Sequence, residues 1–283
     1  MTRFQHAAFL QYAAFLLAGV IGACSDGGAE VALPDVRLRL RYEVGDTLHY
    51  RYHVQGTVTR PDTSEGAPAH ESYERKMTVE EVATEVTPRG NYLLTWTYHL
   101  PPKPANEEGQ SMPEEFALRV EITPQGKILD VGDLGAARKA VGNLDFKTYL
   151  DQTQPVFPDR PLKVGDSWTQ EVRVLSPQAE PVVTRSTYVL KALDDQMAVI
   201  AFDGDVYLPG VYEADSLAAE PPQTTEERIR LRGNLHFDHG RGIVRRVETT
   251  AQATMTKVTM GPEGPRRRNV DMTQESELNL VEP

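Results

Sequence analysis

His49 and His53 are the first two side chains in the sequence that could ligate a metal together, and their spacing argues against it. Four residues along an extended strand span about 13 Å, too far for two imidazoles to share one ion, so both are expected to face solvent. His236-Phe237-Asp238-His239 falls at the expected tip of a hairpin and could gather two imidazoles and a carboxylate. A metal site needs further ligands, and none is close in sequence, so no metal is expected. Asp203-Gly204-Asp205 has the form of a cation-binding fragment without the rest of an acidic loop, and a turn is expected there. Arg266-Arg267-Arg268 follows Gly264-Pro265 and suits a solvated loop, with a lipid headgroup or protein contact as the sharper alternative. The chain contains no Gly-x-Ser-x-Gly, phosphate loop or dinucleotide fingerprint. Its one cysteine, Cys24, precedes the expected fold. No catalytic residue and no cofactor are expected, and the protein is not expected to be an enzyme.

Cys24 closes an apolar N-terminal stretch. Arg3 and His6 give a weakly basic start, residues 7–20 are apolar apart from Gln11 and Tyr12, and small residues precede the cysteine, which is the pattern of an export signal. A membrane-spanning helix fits less well, because the stretch is at the short limit and lacks a basic flank. Cleavage after Ala23 by an ordinary signal peptidase would leave one free thiol on an exported protein. Ile21-Gly22-Ala23-Cys24 resembles the lipobox of bacterial lipoproteins. That resemblance implies a signal peptide over residues 1–23, a diacylglyceryl group on Cys24, a lipidated tether over residues 24–35 and a β domain over residues 36–283. Several buried acyl chains on one residue anchor a protein stably. By the same resemblance, Ser25 after the cysteine favours the outer membrane, with the domain on its periplasmic side.

The remaining composition is that of a folded, soluble domain. Thirty basic against 41 acidic residues give a formal charge of −11, which opposes binding to nucleic acid or to anionic membranes by charge alone. No disulfide can form within the chain, so stability must come from packing.

Strict alternation of apolar and polar residues dominates. Val36, Leu38, Leu40 and Tyr42 alternate with Arg37, Arg39 and Arg41, and after Gly45-Asp46 the pattern restarts with Leu48, Tyr50, Tyr52 and Val54. Met77 and Val79 occupy one face of a later strand, and Val82, Thr84 and Val86 continue with shifted parity, so a bulge is expected near Glu80 and Glu81. Further strands are expected around Trp96, Leu118, Trp168, Val189, Ile200, Leu235 and Val247, and both tryptophans are expected in the core. Residues 133–150 change to helical spacing and should form one or two short helices. Lys163-Val164-Gly165-Asp166-Ser167 repeats Glu43-Val44-Gly45-Asp46-Thr47 at an offset of 120 residues. Two related halves, 36–132 and 162–283, are thus one reading, joined by a helical and Pro-rich connector over 133–161; recurrent Gly-Asp turns are the other. The expected fold is mainly β, a large curved antiparallel sheet forming a half-barrel or a sandwich, with a short central helical segment.

The Gly-Asp turn near the start, the segment Ile122-Thr123-Pro124-Gln125-Gly126-Lys127-Ile128 and the run Pro158-Asp159-Arg160-Pro161-Leu162-Lys163-Val164-Gly165-Asp166-Ser167-Trp168 resemble uncharacterised bacterial lipoproteins of unknown-function families. In architecture the chain is also similar to the outer-membrane lipoprotein carriers and receptors that hold acyl chains against an apolar face. The expectation is a membrane-anchored envelope lipoprotein whose non-enzymatic β domain binds an apolar ligand or a protein partner. A structural or assembly factor of the envelope and a hydrolase with an unrecognised site are the alternatives.

Overall fold

A computed structural model describes residues 35–60, 69–101, 114–133, 135, 145–175, 180–209, 223–261 and 264–281. Cys24, the apolar leader and nearly all of the expected tether lie outside them, as do most of the Pro-rich loops and residues 136–144, where part of the helical segment was expected.

The alternating segments form two meanders. The first is β1 (Thr47–Arg60), β2 (Ala69–Val86), β3 (Tyr92–His99), β4 (Glu115–Ile122) and β5 (Ile128–Gly132). The second is β6 (Ser167–Val174), β7 (Val182–Leu193), β8 (Met197–Leu208), β9 (Gln223–Asp238) and β10 (Ile243–Gly261). β11 (Gly264–Val281) then lies between β1 and β10, antiparallel to both. One eleven-stranded sheet results, in the order β5-β4-β3-β2-β1-β11-β10-β9-β8-β7-β6. Of the two expected forms it is the single curved sheet and not the sandwich.

The one helix among the described strands and connectors, α1 (Phe146–Thr153), reveals how strongly the sheet curls. It touches both β5 and β6, the strands at opposite edges. Laid flat, those edges would stand ~48 Å apart, whereas an eight-residue helix is ~12 Å long. The sheet must therefore roll until its edges meet across α1. Gln170 of β6 donates from Nε2 to the Asp151 and Gln154 carbonyls at 2.7 and 3.1 Å. From the same helix, Lys147 Nζ reaches the Ile128 carbonyl of β5 at 3.5 Å. Asp145 caps α1 by accepting from the Thr148 N–H at 3.1 Å.

Residues 36–42 do not form the expected strand. Their side chains alternate in burial as predicted, but the backbone crosses the end of the rolled sheet, where Leu40 N–H donates to the Pro124 carbonyl and Arg41 N–H to the Gly242 carbonyl. Val36 and Leu162 pair as an isolated bridge, and Phe157 N–H donates to the Gln125 carbonyl. Leu38, Leu40, Phe157 and Leu162 are thereby buried under the β4–β5 and β9–β10 turns, plugging that end.

The meanders match in detail. Gly45 and Gly165 take φ of 97° and 92°, a region costly for any side chain, and Asp46 and Asp166 accept through Oδ2 from Glu43 N–H and Lys163 N–H. Gly45 N–H donates to the Ala83 carbonyl, as Gly165 N–H does to the Leu190 carbonyl. The ladders slip just beyond those residues, between Ala83 and Glu85 and between Leu190 and Ala192. They slip again between Glu121 and Ile122 in the first meander and between Val244 and Arg246, opposite Phe237 and His236, in the second.

Gln152 of α1 continues the sheet where strands separate. The β7–β8 ladder ends at Ser186 and Gly204. Beyond it Gln152 accepts through Oε1 from Tyr207 N–H at 2.8 Å and donates from Nε2 to the Tyr207 carbonyl at 3.0 Å. Leaving a buried backbone donor and acceptor unpaired costs roughly 1–3 kcal/mol each. Gln152→Ala should therefore lower the unfolding free energy by about 2–5 kcal/mol in urea titration, and a loss below about 1 kcal/mol would show that this side chain does not hold the helix to the sheet.

Candidate functional site

On the inner face, β2 carries Met77, Val79, Glu81 and Ala83 in unbroken alternation. The expected bulge at Glu80 and Glu81 is absent; the slip comes three residues later, so Glu81 points inward and Glu80 outward. Glu81 pairs across the ladders with Leu48 of β1 and Trp96 of β3. It is 9% exposed and Trp96 is 8% exposed.

These two residues line a cavity of about 110 Å³ between the sheet and α1. Tyr42, Tyr50, Tyr52 and Tyr98 contribute aromatic walls, Phe146, Tyr149 and Leu150 of α1 form one side, and Leu235, Val247 and Leu278 come from the second meander and β11. Tyr98 stacks on Phe116 at 4.8 Å between centroids, and Phe116 meets Phe146 at 6.2 Å. Tyr50 donates its hydroxyl to the Val244 carbonyl at 3.2 Å. Glu81 is the one carboxylate in the lining, and no lysine, arginine or histidine shares it.

Burial raises the Glu81 carboxyl from 4.5 to about 7, and the Tyr42 hydroxyl and Trp96 N–H facing it oppose the rise. Within ordinary hydrogen-bond geometry, neither Glu81 Oε1 nor Trp96 Nε1 has a partner among the described residues. Burial, reinforced by the Glu81 charge, pushes Tyr42, Tyr50 and Tyr98 well above the usual phenol range.

A second polar group lies toward the other end of the inner face, about 26 Å from Glu81 along β2. Tyr73 donates to Gln274 Oε1 at 2.7 Å. Burial raises Tyr73 to about 12 and Glu227 of β9 to about 8.

The residues singled out by sequence are dispersed. His49 and His53 face outward on β1, His49 at 3.6 Å from Glu80 and His53 at 2.8 Å from Glu74. His236 approaches Glu248 at 3.4 Å, His239 contacts the Asp194 carbonyl at 2.9 Å, and Asp238 accepts from Arg241 N–H at 2.8 Å. No group of three metal-ligating side chains occurs among the described residues. Asp203-Gly204-Asp205 is not a turn but part of β8, with Asp203 paired to Arg230 and Arg232 at 3.1 Å. Arg267 and Arg268 are exposed within β11 and paired in register with β10, where a loop was expected. Cys24 lies outside the described residues. Glu81 was missed because Val82, Thr84 and Val86 suggested a parity change just before them; its place in the Met77, Val79, Ala83 series was the available signal.

The sign of the pH dependence follows from the raised carboxyl. Glu81 ionises near 4.5 when unfolded and about 7 when folded, so the folded state holds the proton more tightly and stability falls as pH rises through that window. Tyr42, Tyr50 and Tyr98 stay neutral throughout. Glu81→Gln removes this loss, so its stability relative to wild type should grow between pH 5 and pH 8 by up to about 3 kcal/mol in urea titration. A difference that stays constant over that range would show that Glu81 is not held in the protonated form.

Residues 134–242, from the connector through the turn after β9, match the model of a family of unknown function, DUF6263. No curated protein matches the sequence. Among solved structures, one titled "Lipid-protein interactions in lipovitellin" overlaps 86% of this chain at 12% identity and a TM-score of 0.40. This chain spans 26% of that one. An outer membrane channel from Pseudomonas putida F1 overlaps 89% of this chain and 100% of its own at 11% identity and a TM-score of 0.20. OpdQ of Pseudomonas aeruginosa overlaps 83% and 97% at 8% identity and a TM-score of 0.18.

Proposed function

We propose that this chain is a lipid-anchored protein of the bacterial envelope, whose β domain holds an apolar ligand without transforming it. The cavity between the sheet and α1 carries the reading. Apolar cavities of this size stay dry and accept ring-sized molecules. Left empty, a void of 110 Å³ costs roughly 2–3 kcal/mol, which larger side chains at positions such as Val79 or Val247 would remove. A ligand offsets that cost. Apart from Glu81, Thr153 and Gln154, the cavity walls are aromatic and aliphatic, surroundings suited to holding an apolar molecule.

The anchor rests on the sequence of residues 1–25. No helix among the described residues is long and apolar enough to cross a membrane, and the lipobox-like Ile21-Gly22-Ala23-Cys24 supplies another means of attachment. Cys24→Ser should abolish metabolic labelling with palmitate and release the protein from membranes; unchanged labelling and fractionation would refute lipidation at that residue.

Ligand binding is tested by native mass spectrometry of protein purified gently from cells. A stable extra mass, removed by organic solvent and absent from Val247→Phe, is the expected result. Protein that emerges bare, and stays bare after incubation with ring-sized apolar molecules, would overturn the reading and turn the search toward a protein partner.

A further inference from the structure

We infer that Glu81 and Trp96 form a polar anchor inside the cavity, and that its ligand is an apolar molecule bearing a neutral hydroxyl group. The inference rests on the cavity being a binding site and names what it selects. Two observations carry it. Glu81 and Trp96 stand directly opposite each other across the β2–β3 ladder, which places their Cβ atoms about 5 Å apart. Both are nine-tenths buried and both line the cavity; the Trp96 N–H and the Tyr42 hydroxyl face Glu81, but within ordinary hydrogen-bond geometry Glu81 Oε1 and Trp96 Nε1 each lack a partner among the described residues.

A buried polar atom without a partner costs roughly 1–3 kcal/mol, so the ligand that supplies both partners gains most. The indole N–H can only donate, while Oε1 accepts when the carboxyl is ionised. A hydroxyl meets both at once, accepting from Trp96 and donating to Glu81. When Glu81 is protonated, the same oxygen has two lone pairs and can accept from both groups. An ammonium presents only donors, so it pairs with ionised Glu81 and leaves Trp96 unsatisfied. A carboxylate would accept from Trp96 but face Glu81 with no cation in the lining. An alkane leaves both groups unpaired. The chemistry thus selects an alcohol whose apolar body is about the size of one ring, given the cavity volume.

The test uses the full-length chain with Trp168→Phe, so that Trp96 is the sole tryptophan, stripped of bound apolar material on a hydrophobic resin. Cyclohexanol, methylcyclohexane and cyclohexylamine are titrated, with Trp96 emission and calorimetry as readouts. Cyclohexanol should bind about tenfold or more tightly than methylcyclohexane and shift Trp96 emission to the red as its N–H gains an acceptor. Glu81→Leu should abolish or reverse the preference, whereas Glu81→Gln, which keeps shape and hydrogen-bonding capacity, should hold cyclohexanol within about threefold of wild type. Equal affinity for the alcohol and the alkane would overturn the anchor while leaving the cavity as a binding site. Preference for the amine would overturn the hydroxyl assignment. Binding of none of the three would overturn both the anchor and the cavity reading.

Discussion

An open sheet has two free edges, and everything else in this fold depends on the helix that lies across both. Gln170 reaches α1 from β6, and Lys147 reaches from α1 to β5, so eight residues of helix do at one seam what β11 does at the opposite side of the roll. A strand at the second seam would have closed a barrel. A helix is wider than a strand and presents Phe146, Tyr149 and Leu150 to the interior on one side only. The space left beside it is the cavity. The cavity is in this sense a by-product of how the seam is sealed.

The two meanders repeat one plan, from the Gly-Asp turn through two matched ladder slips. Their inner faces have diverged. Where the first places Glu81 opposite Trp96, the second places Tyr188 opposite Phe202 in the corresponding row. Trp168 of β6 instead stacks on Tyr188 at 5.3 Å and meets Phe157 from the plug. The second meander is filled with its own side chains, and the first is left with room.

Much of this was legible in the sequence. Period-two alternation located the strands' cores, because one face of each meets water and the other does not, and Gly-Asp marked both turns because a positive φ is needed there. Alternation reports burial, however, not backbone pairing. Residues 36–42 alternate as a strand would and bury Leu38 and Leu40, yet they cross the sheet's end with a single bridge at Val36. The same rule hid Glu81, since a lone carboxylate at an apolar position looks like a change of parity. Seen from one strand it is an irregularity; only the ladder to Trp96 makes it a feature. The cavity was beyond reach for a further reason: its walls come from β1, β2, β3, β4, β9, β10, β11 and α1, and no local pattern encodes that assembly.

The position of β11 sets the order in which the protein can become itself. It is synthesised after the other ten strands, yet it sits in the middle of the sheet, pairing Leu280 with Tyr50 and Leu278 with both Tyr52 and Val247. Until residues 264–281 arrive, β1 and β10 each present an unpaired edge, and the two meanders have no strand in common. Contacts this distant in sequence form slowly and expose apolar surface while they wait. The nascent chain therefore spends its vulnerable interval as two unfinished five-stranded ribbons, and β11, inserted between them, is the event that turns them into one molecule.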